Sequence, residues 1–313
     1  MWGINMAISL LKDLGTLKKQ NLAVTIGNFD GVHLGHQSFL LKALSSSKSE
    51  GLTFVVVTFV PHPIFVLNPR SEFLINSYCE RRHLLEQLGV EYLLEIDFTR
   101  DVSTMMPQQF LDGFISYSSL VKKIFLGHDF AFGANKSGGH EFVKEYCKER
   151  NINVEIEDKY EVQSELVSSS KIREYLKQGM VLAAHKFLGR PFFLSGRIIK
   201  GMGRGKKIGI PTANLGFDLS RMIPMSGVYI TQTEVGGLKY KSVTNIGLNP
   251  TFGSENSIGV ETHILDFNRD IYGEEVQVFF YEKIRDEIKF NCVNDLIAQI
   301  KSDIDCARKA CNG

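Results

Sequence analysis

Residues 27–36 read Gly-Asn-Phe-Asp-Gly-Val-His-Leu-Gly-His, and this stretch decides the fold class of the first half of the chain. It follows an apolar run at 22–26 that is typical of a buried strand, and it leads into a helical pattern at 35–44. A turn from a strand into a helix presents free amide groups at the helix N-terminus, and these bind phosphate. The stretch therefore indicates an α/β domain with a candidate anion site at this turn.

Two histidines lie three positions apart in this stretch, at His33 and His36. If both belong to the first helical turn they share a face, where two imidazoles and the free amides would neutralise charge developing on a nucleotide's α-phosphate. The glycines on either side let the backbone approach a ligand closely. A metal-binding pair and a structural pair of capped histidines have the same spacing, so the spacing alone leaves all three interpretations open.

Apolar runs and amphipathic stretches alternate through the rest of the first half. The run at 52–59 (LTFVVVTF) is rich in β-branched and aromatic residues, which is typical of a central parallel strand covered on both faces. Further strands are expected at 92–96, 123–126 and 154–156, and helices at 79–88, 107–117 and 141–150, with the serine run 45–49 as a loop. This rhythm predicts a doubly wound α/β sheet, whose ligands bind beyond the carboxyl ends of the strands.

Three further segments of this half are candidates for ligand contact. Two are loops that directly follow predicted strands: Pro61-His62-Pro63, and 127–133 (GHDFAFG), which contains Asp129. The third is 168–173 (SSSKIR), where hydroxyls precede a helix and would ordinarily serve only as its N-cap. Cations at a helix N-terminus oppose the helix dipole, so Lys171 and Arg173 are expected to have an anionic partner.

The pattern changes after about residue 188. From 192 to 288 the runs are short, rich in strand-forming residues and separated by glycines, which predicts a small antiparallel barrel or sandwich. A final segment at 293–307 has apolar residues on one helical face. The predicted domains are therefore residues 1–186 and 187–313.

A glycine- and cation-rich segment opens this second half and leads into a PTAN sequence. The segment 201–209 would suit a flap over phosphates, although a surface turn with solvated lysines fits the same composition. In an extended chain, Thr212 and Asn214 point to one side, and their oxygens suit Mg²⁺ shared with nucleotide phosphates. A kinase acting on an alcohol also needs a carboxylate beside the hydroxyl, and Glu261, His263 and Asp266 are equal candidates from sequence.

Composition excludes several classes of protein. A chain of 313 residues is expected to form two domains, and its formal charge of +1 argues against a broad nucleic-acid surface. Five scattered cysteines form no C-x-x-C pair and predict reduced thiols. Charged residues come too early for a secretory signal, and no apolar run approaches the ~20 residues needed to cross a membrane. A cytoplasmic protein without membrane or nucleic-acid partners is expected, with weak self-association left open.

The first half resembles the nucleotidyltransferase superfamily, through the signature G-x-F-D-x-x-H-x-G-H. The set GNFDGVHLGH, TFVPHP, GHDFAFG and SSSKIR is similar to the FMN-adenylylating module of bacterial bifunctional riboflavin kinase/FAD synthetases. The resemblance implies that two groups of residues hold ATP from opposite sides. The first group is Gly27, Asn28, Phe29, Asp30, His33 and His36, and the second is Ser169, Ser170 and Arg173. Within these groups, His33, His36 and Arg173 would act on the phosphates. It also implies that Asp129 and the loop Pro61, His62 and Pro63 lie near the flavin or the metal.

The second half resembles the riboflavin kinase module of the same family, through GIPTANL, GVYI, NIGLNPTFG and VETHILDFNRDIYG. The resemblance implies that Thr212 and Asn214 bind Mg²⁺ and ATP phosphate, and that Glu261 is the base for the ribityl 5′-hydroxyl, beside the flavin. It implies an ATP-binding flap with Gly201, Gly203 and Lys206. The family usually has arginine where Lys206 stands, and lysine keeps the charge but loses the bidentate fork.

The resemblance covers about residues 20–305 in the family's order of modules. It implies a Rossmann-like nucleotidyltransferase domain, then a six-stranded antiparallel Greek-key β-barrel with a C-terminal helix. The implied activity converts riboflavin and ATP to FMN and ADP, then FMN and ATP to FAD and pyrophosphate. Three alternatives remain: a chain with only one activity, a flavin-binding regulator without catalysis, and a nucleotidyltransferase with another acceptor.

Overall fold

The computed structural model describes residues 8–17, 20–68, 72–115, 120–133, 137–201, 203, 205, 208–248 and 258–310. The chain divides into two compact units, Trp2–Ser168 and Ser169–Gly313. No helix among the described residues is long and apolar enough to cross a membrane. The predicted domain boundary between residues 186 and 187 stays a prediction.

The first unit is built on a six-stranded parallel sheet with the order β1-β4-β3-β2-β5-β6. Its strands are β1 (Ser9–Leu11), β2 (Leu22–Ile26), β3 (Thr53–Val60), β4 (Tyr92–Asp97), β5 (Val121–Leu126) and β6 (Asn153–Ile156). The chain runs from β2 outward through β3 and β4, and then returns to place β5 on the other side of β2. The carboxyl ends of β2 and β5 therefore flank the switch point, where doubly wound sheets bind their ligands.

Helices cover both faces of this sheet. They are α1 (Leu34–Ser49), α2 (Pro63–Leu67), α3 (Tyr78–Gln87), α4 (Arg100–Thr104), α5 (Pro107–Ile115) and α6 (His140–Lys148), with a 3₁₀ turn at Leu14–Leu17 and a hairpin of β7 (Glu161–Val162) and β8 (Glu165–Leu166). Alternate residues of β3 enter two cores: Phe54 and Val56 pack with α1 and α3, whereas Val55 and Val57 pack with α5 and α6. This two-sided burial confirms the interpretation of the run 52–59.

One local prediction was wrong in this unit. The serine run at 45–49 was expected to be a loop, but α1 continues through it to Ser49. The Ser47 hydroxyl donates to the Ala43 carbonyl at 2.7 Å, and the Ser49 hydroxyl donates to the Ser46 carbonyl at 2.8 Å. Serines that bond back to the preceding turn remain compatible with a helix. The strands β1, β7 and β8 were not predicted, and residues 116 and 117 of the predicted helix 107–117 lie outside the described residues.

The second unit begins with two helices and continues as a closed barrel. The elements are α7 (Ser169–Lys177), α8 (Val181–Leu188), β9 (Phe192–Ile199), β10 (Ala213–Gly216), β11 (Gly227–Val235), β12 (Leu238–Leu248), β13 (Ile258–Ile264), β14 (Glu275–Arg285) and the C-terminal helix α9 (Val293–Ala310). The antiparallel strands close in the order β10-β13-β12-β11-β14-β9. Because β10 lies beside β13 at the end of the β11-β12-β13 meander, the arrangement is a Greek key. The sequence predicted either a barrel or a sandwich, and the structure is a closed barrel.

Alternation along β11 separates the barrel interior from its helix-covered face. Tyr229, Thr231 and Thr233 are fully buried in the barrel, whereas Val228 and Ile230 pack in a cluster with residues of α9. Strand β10, only four residues long, was not predicted as a strand. It closes the barrel between β9 and β13, and it carries the end of the PTAN sequence.

Candidate active sites

The loop after β2 is held in a strained conformation by contacts from outside it. Phe29 and Val32 have φ angles of 48° and 38°, in the left-handed region that β-branched residues rarely adopt. The buried Asp30 carboxylate accepts hydrogen bonds from the backbone amides of Ile75, at 3.0 Å, and Asn76, at 3.3 Å. Strain of about 1–3 kcal/mol per residue persists only where the surroundings over-determine the backbone, as these contacts do here.

The loop brings His33 and His36 side by side. The two rings stack with centroids 3.6 Å apart, and the His36 amide donates to Nδ1 of His33 at 3.2 Å, which makes His33 the N-cap of α1. A neutral His33 ring therefore carries its proton on Nε2 and is a donor there. The predicted shared face is thus present at the N-terminus of α1, where amides favour anions.

Two glycines of the motif are explained by the rings beside them. A Cβ at Gly35 would lie 3.3 Å from the His33 ring, and a Cβ at Gly27 would lie 2.9 Å from the Phe29 ring. The Phe29 ring in turn meets the His36 ring edge-on, with centroids 5.3 Å apart. Gly27 and Phe29 therefore shape the site by supporting the histidines, an arrangement that the sequence signature did not specify.

The loop Pro61-His62-Pro63 follows β3 and ends at the short helix α2. The buried His62 ring accepts a hydrogen bond from the Ile64 amide, and the His62 amide donates to the Tyr78 hydroxyl at 2.7 Å. Half-buried Phe73 and Phe65 lie 5.0 Å and 6.5 Å from the His62 ring. Sequence reasoning missed these phenylalanines, whose only signal is their position shortly after the loop. They form an aromatic surface at the carboxyl edge of the sheet.

The loop after β5 contributes a second aromatic group. Phe130 and Phe132 are half-buried, with their rings 5.2 Å apart, and Phe132 also lies 5.2 Å from Phe110. His140 contacts the Gly127 carbonyl at 2.8 Å and so ties the start of α6 to this loop. Asp129 is exposed at the loop surface. The loop follows a strand, as predicted, and because β5 lies beside β2 it stands across the switch point from the loop of the histidine pair.

The serine and arginine candidates Ser169, Ser170 and Arg173 lie in the first turns of α7. They belong to the second compact unit, whereas the histidine pair belongs to the first. The expected anionic partner of Lys171 is Glu174 on the same helix, with Nζ 3.2 Å from the carboxylate. The implied role of Arg173 at the nucleotide phosphates stays a prediction.

In the barrel, the strand register places Asn214 directly opposite Glu261. Asn214 of β10 pairs with Glu261 of β13, and Glu261 pairs on its other side with Asn245 of β12. Neighbouring residues of opposed antiparallel strands lie within about 5.5 Å, so their side chains on one face can act together. The predicted metal ligand and the predicted base are thus brought together by the sheet.

Two glycines of the segment 201–209, Gly201 and Gly205, pack against the PTAN sequence and the residue before it. A Cβ at Gly201 would lie 2.2 Å from the amide nitrogen of Asn214, and one at Gly205 would lie 2.3 Å from the Ile210 carbonyl and 3.2 Å from the Thr212 hydroxyl. These two positions need glycine because the side chains of Asn214 and Thr212 and the Ile210 carbonyl lie directly against them. Gly203 is exposed with a φ of 67°, and Lys206 lies outside the described residues.

A cavity of about 410 Å³ opens beside Thr212. Its walls come from the start of β10, from β13 and from the loop that follows β13, and the lining residues include Thr212, Ala213, Thr262, Phe267, Arg269 and Tyr272. Apolar and aromatic walls with a few polar groups are typical of pockets for small ligands. The cavity therefore lies beside Thr212 and extends toward the loop 267–272, and Asn214 and Glu261 do not line it.

The three candidates for a base have different surroundings. Glu261 faces Asn214 in the strand register. His263 contacts the Pro211 carbonyl through Nδ1 at 2.7 Å, and so its ring supports the PTAN backbone. Asp266 forms two hydrogen bonds with Arg308 of α9, at 2.7 and 2.9 Å, and this guanidinium lowers the pKa of the Asp266 carboxyl. Of the three, Glu261 is the one opposite the predicted metal ligand.

Comparison with known proteins gives matches across both units. The FAD synthetase family model matches residues 16–171, and the riboflavin kinase family model matches residues 188–311. The chain is 35% identical over 285 residues to a bifunctional riboflavin kinase/FMN adenylyltransferase of Listeria monocytogenes, covering 90% of each chain. It is 36% identical over 284 residues to the protein of the same description from Bacillus subtilis, covering 90% of this chain and 89% of the relative.

The relative from Escherichia coli K12, again described as a bifunctional riboflavin kinase/FMN adenylyltransferase, is 32% identical over 304 residues, which is 96% of each chain. A crystal structure described as a macrolide-efflux protein from Streptococcus pneumoniae superimposes with a TM-score of 0.84 at 33% identity. It covers 96% of this chain and 99% of that one. The chain therefore aligns with these relatives over nearly the whole length of each.

Proposed function

The chain belongs to the bifunctional riboflavin kinase/FMN adenylyltransferase family, and we propose that each of its two sites carries out one of the reactions of that name. The enzyme phosphorylates riboflavin with ATP to give FMN and ADP, and then transfers the adenylyl group of a second ATP to FMN, giving FAD and pyrophosphate. The two family models, each matching one module, are the observation that carries this conclusion.

We assign adenylyl transfer to the loops around the histidine pair. In this reaction the FMN phosphate attacks the α-phosphorus of ATP, the bond to the bridging oxygen breaks, and pyrophosphate leaves. The stacked His33 and His36, at the N-terminus of α1, would bind the phosphates and offset the charge that develops on them. Arg173, Ser169 and Ser170 would complete the phosphate contacts, and Asn28 and Asp30 would fix the loop.

The flavin ring of FMN needs a flat apolar surface, and two aromatic groups at the carboxyl edge of the sheet offer one. His62 with Phe65 and Phe73 forms the first, and Phe130 with Phe132 forms the second. Offset stacking on aromatic rings is the usual way in which proteins hold such planar groups. Pro61 and Pro63 would set the position of the first group, and Asp129 would lie at the mouth of the second.

We assign riboflavin phosphorylation to the barrel. Glu261 would orient and deprotonate the ribityl 5′-hydroxyl, which then attacks the γ-phosphorus of ATP while ADP leaves. The glycine segment, including Gly201 and Gly203 and extending to Lys206, would cover the phosphates. The 410 Å³ cavity beside Thr212 would take the rest of the nucleotide, with Phe267 and Tyr272 as its aromatic walls.

Mg²⁺ is expected as the companion of ATP, and the residues present fit it. Thr212 and Asn214 offer a hydroxyl and an amide oxygen, which are hard ligands of the kind that Mg²⁺ takes together with nucleotide phosphates. The described residues contain no cluster of three His, Cys, Asp or Glu side chains that would hold a metal alone. A bound Mg²⁺ would neutralise phosphate charge during transfer.

The experiment that tests the proposal follows FMN and FAD by chromatography after the chain is incubated with riboflavin, ATP and Mg²⁺. FAD should accumulate with the unaltered protein. A His33→Ala/His36→Ala variant should stop at FMN, and a Glu261→Ala variant should make neither product from riboflavin but still make FAD from added FMN. FMN without FAD from the unaltered chain, or FAD only from added FMN, would leave one working module and contradict the proposal.

Other functions have less support. Efflux, the activity in the description of the Streptococcus pneumoniae structure, is not proposed, because both units match enzyme families and no described helix is long and apolar enough to cross a membrane. A cytoplasmic location, weak self-association, the absence of nucleic-acid and membrane partners, and the domain boundary after residue 186 remain predictions.

A further inference from the structure

The first turns of α3 contact the carboxyl ends of three neighbouring strands through one buried arginine. Arg81 is 2% exposed. Its Nη1 donates to the Asn28 carbonyl, in the loop after β2, at 3.0 Å, and its Nη2 donates to the Phe59 carbonyl, near the end of β3, at 3.4 Å. Nη2 also lies 3.2 Å from the carboxylate of Glu95 on β4. One guanidinium therefore bridges β2, β3 and β4 where the ligand loops begin.

The residues around Arg81 hold the same two loops by separate contacts. The amide of Ile75, just before α3, donates to Asp30 of the histidine loop. The Tyr78 hydroxyl accepts a hydrogen bond from the His62 amide, and the Arg81 guanidinium lies over the Tyr78 ring, 5.0 Å from its centroid. The start of α3 is thus in contact with the loop that carries the histidine pair and with the loop that carries His62.

The start of α3 is itself well fixed. Ser77 and Glu80 form a capping box, in which the Ser77 hydroxyl accepts from the Glu80 amide and the Glu80 carboxylate accepts from the Ser77 amide. Glu95 is held by a second cation, because Arg82 donates to it from Nε at 3.1 Å. Arg82 is only partly buried, and its described hydrogen bonds go to Glu95.

A buried guanidinium needs a structural reason, since burial of a charge is costly unless it is paired and fully hydrogen-bonded. An apolar side chain would fill the same space at a lower desolvation cost. Arginine, however, presents donors in several fixed directions, and so it can set the spacing of carbonyls that belong to different strands. The left-handed backbone at Phe29 and Val32 also requires external contacts of this kind.

We propose that Arg81, held in place by Glu95, is a positioning residue for adenylyl transfer. By fixing the Asn28 and Phe59 carbonyls relative to each other, it sets the distance between the histidine pair, which would bind ATP, and the His62 loop, which would bind FMN. The attacking phosphate and the α-phosphorus must meet in line, and a displacement of about 1 Å can lower a rate about 100-fold. The proposal rests on the proposed function of the first unit.

The test replaces Arg81 by Met, which keeps the length and apolar volume of the side chain but removes its donors. Arg81→Met should lower kcat for FAD formation from FMN roughly 30- to 100-fold while KM for ATP changes less than about threefold, because the loss is in alignment rather than in binding. Arg81→Lys keeps the charge but has a single donor nitrogen in place of the planar fork, and it should recover part of kcat. Riboflavin phosphorylation by the same preparation should stay unchanged, as an internal control.

Arg82→Met is the matched control. It removes the other cation beside Glu95 without touching the strand carbonyls, and it should leave FAD formation within about threefold of the unaltered rate. Circular dichroism and the unfolding temperature show whether each variant is folded. If Arg81→Met does not fold, Glu95→Gln tests the positioning role of Arg81 instead. This substitution removes the carboxylate charge that holds Arg81 and conserves the volume of the side chain. It should lower kcat for FAD formation at least fivefold.

Two results would overturn the proposal. One is a folded Arg81→Met or Glu95→Gln variant whose kcat for FAD formation stays within threefold of the unaltered value. The other is an equal loss in Arg81→Met and Arg82→Met, which would make the effect one of general stability. Failure of the proposed function looks different, because the unaltered chain would then form no FAD from FMN at all.

Discussion

His263 illustrates how a single residue outside the reaction can support the proposed kinase site. Its Nδ1 donates to the Pro211 carbonyl at 2.7 Å, directly before Thr212, and its strand neighbour Glu261 lies two residues earlier. A neutral hydrogen bond contributes about 0.5–1.5 kcal/mol, which corresponds to a two- to tenfold change in an equilibrium constant. The contact is therefore large enough to affect nucleotide binding without deciding whether the barrel folds.

We predict that His263→Leu raises KM for ATP in riboflavin phosphorylation about two- to tenfold, since the PTAN backbone loses its anchor. His263→Asn should stay close to the unaltered value, because its amide nitrogen can replace Nδ1 as the donor. Steady-state kinetics of FMN formation measure both variants, and FAD formation from FMN on the same chain is the control. Equal values of KM for the Leu and Asn variants would show that the hydrogen bond has no role in binding.

The sequence predicted candidate residues for the base of the proposed kinase site but could not distinguish among them. Glu261, His263 and Asp266 were equal candidates from sequence, because a strand pattern does not reveal which residues of other strands lie opposite. The register of β10 against β13 distinguishes them, and β10 is too short to predict. Conversely, the spacing of the histidine pair predicted a shared face, and the two rings do stack, although His33 lies at the extended N-cap position rather than in the first helical turn.

At the scale of elements, one buried and one exposed ion pair attach α9 to the barrel. Asp303 of α9 is 2% exposed and accepts three hydrogen bonds from Arg285 of β14, at 2.7 to 3.1 Å. Arg308 pairs with Asp266 at the exposed end of the same helix. Because the first pair is largely removed from solvent, breaking it leaves a charge without compensation, whereas the second is screened by water.

We predict that Asp303→Asn destabilises the second unit by about 2–4 kcal/mol, slightly below the usual range for a fully buried pair because Arg285 is partly exposed. Asp266→Asn is the matched control and should cause a much smaller change, which high salt reduces further. Thermal unfolding followed by circular dichroism, together with limited proteolysis at α9, measures both. Equal shifts in the two variants would contradict the assignment of stability to the buried pair.

Most elements of both units were predictable, and the exceptions have local physical causes. The central strands β2 and β3 are marked by nearly continuous apolar runs, because a parallel sheet covered on both faces favours apolar residues. The serine run 45–49 predicts too early an end for α1, because serine favours loops, whereas the Ser47 hydroxyl here bonds back to the preceding turn. Strands of two to four residues, such as β1, β7 and β10, are fixed by their partners and have no pattern of their own.

At the scale of the whole molecule, the compact division and the predicted domain boundary assign the helices α7 and α8 to different units. The compact division places them with the barrel. The Met225 amide donates a hydrogen bond to the Leu176 carbonyl of α7. A Cβ at Gly179, between the two helices, would lie 3.1 Å from the Tyr229 hydroxyl and 2.9 Å from the Lys283 side chain. The predicted functional boundary, after residue 186, instead leaves α7 and all but the last two residues of α8 with the adenylylating module, which resembles the family in its SSSKIR segment. The same residues can belong to one unit in folding and to the other in chemistry.

We predict that a fragment of residues 169–313 folds and phosphorylates riboflavin, whereas a fragment of residues 187–313 is less stable, because it exposes the surface of β9 and β14 that α8 covers. A fragment of residues 1–186 should form FAD from FMN better than one of residues 1–168, which lacks Arg173 and the serines before it. The unfolding temperatures and both activities of the four fragments provide the measurement. If residues 187–313 are as stable as 169–313, the two helices belong to the first module in folding as well, and the compact division at Ser168 does not describe an independently stable part.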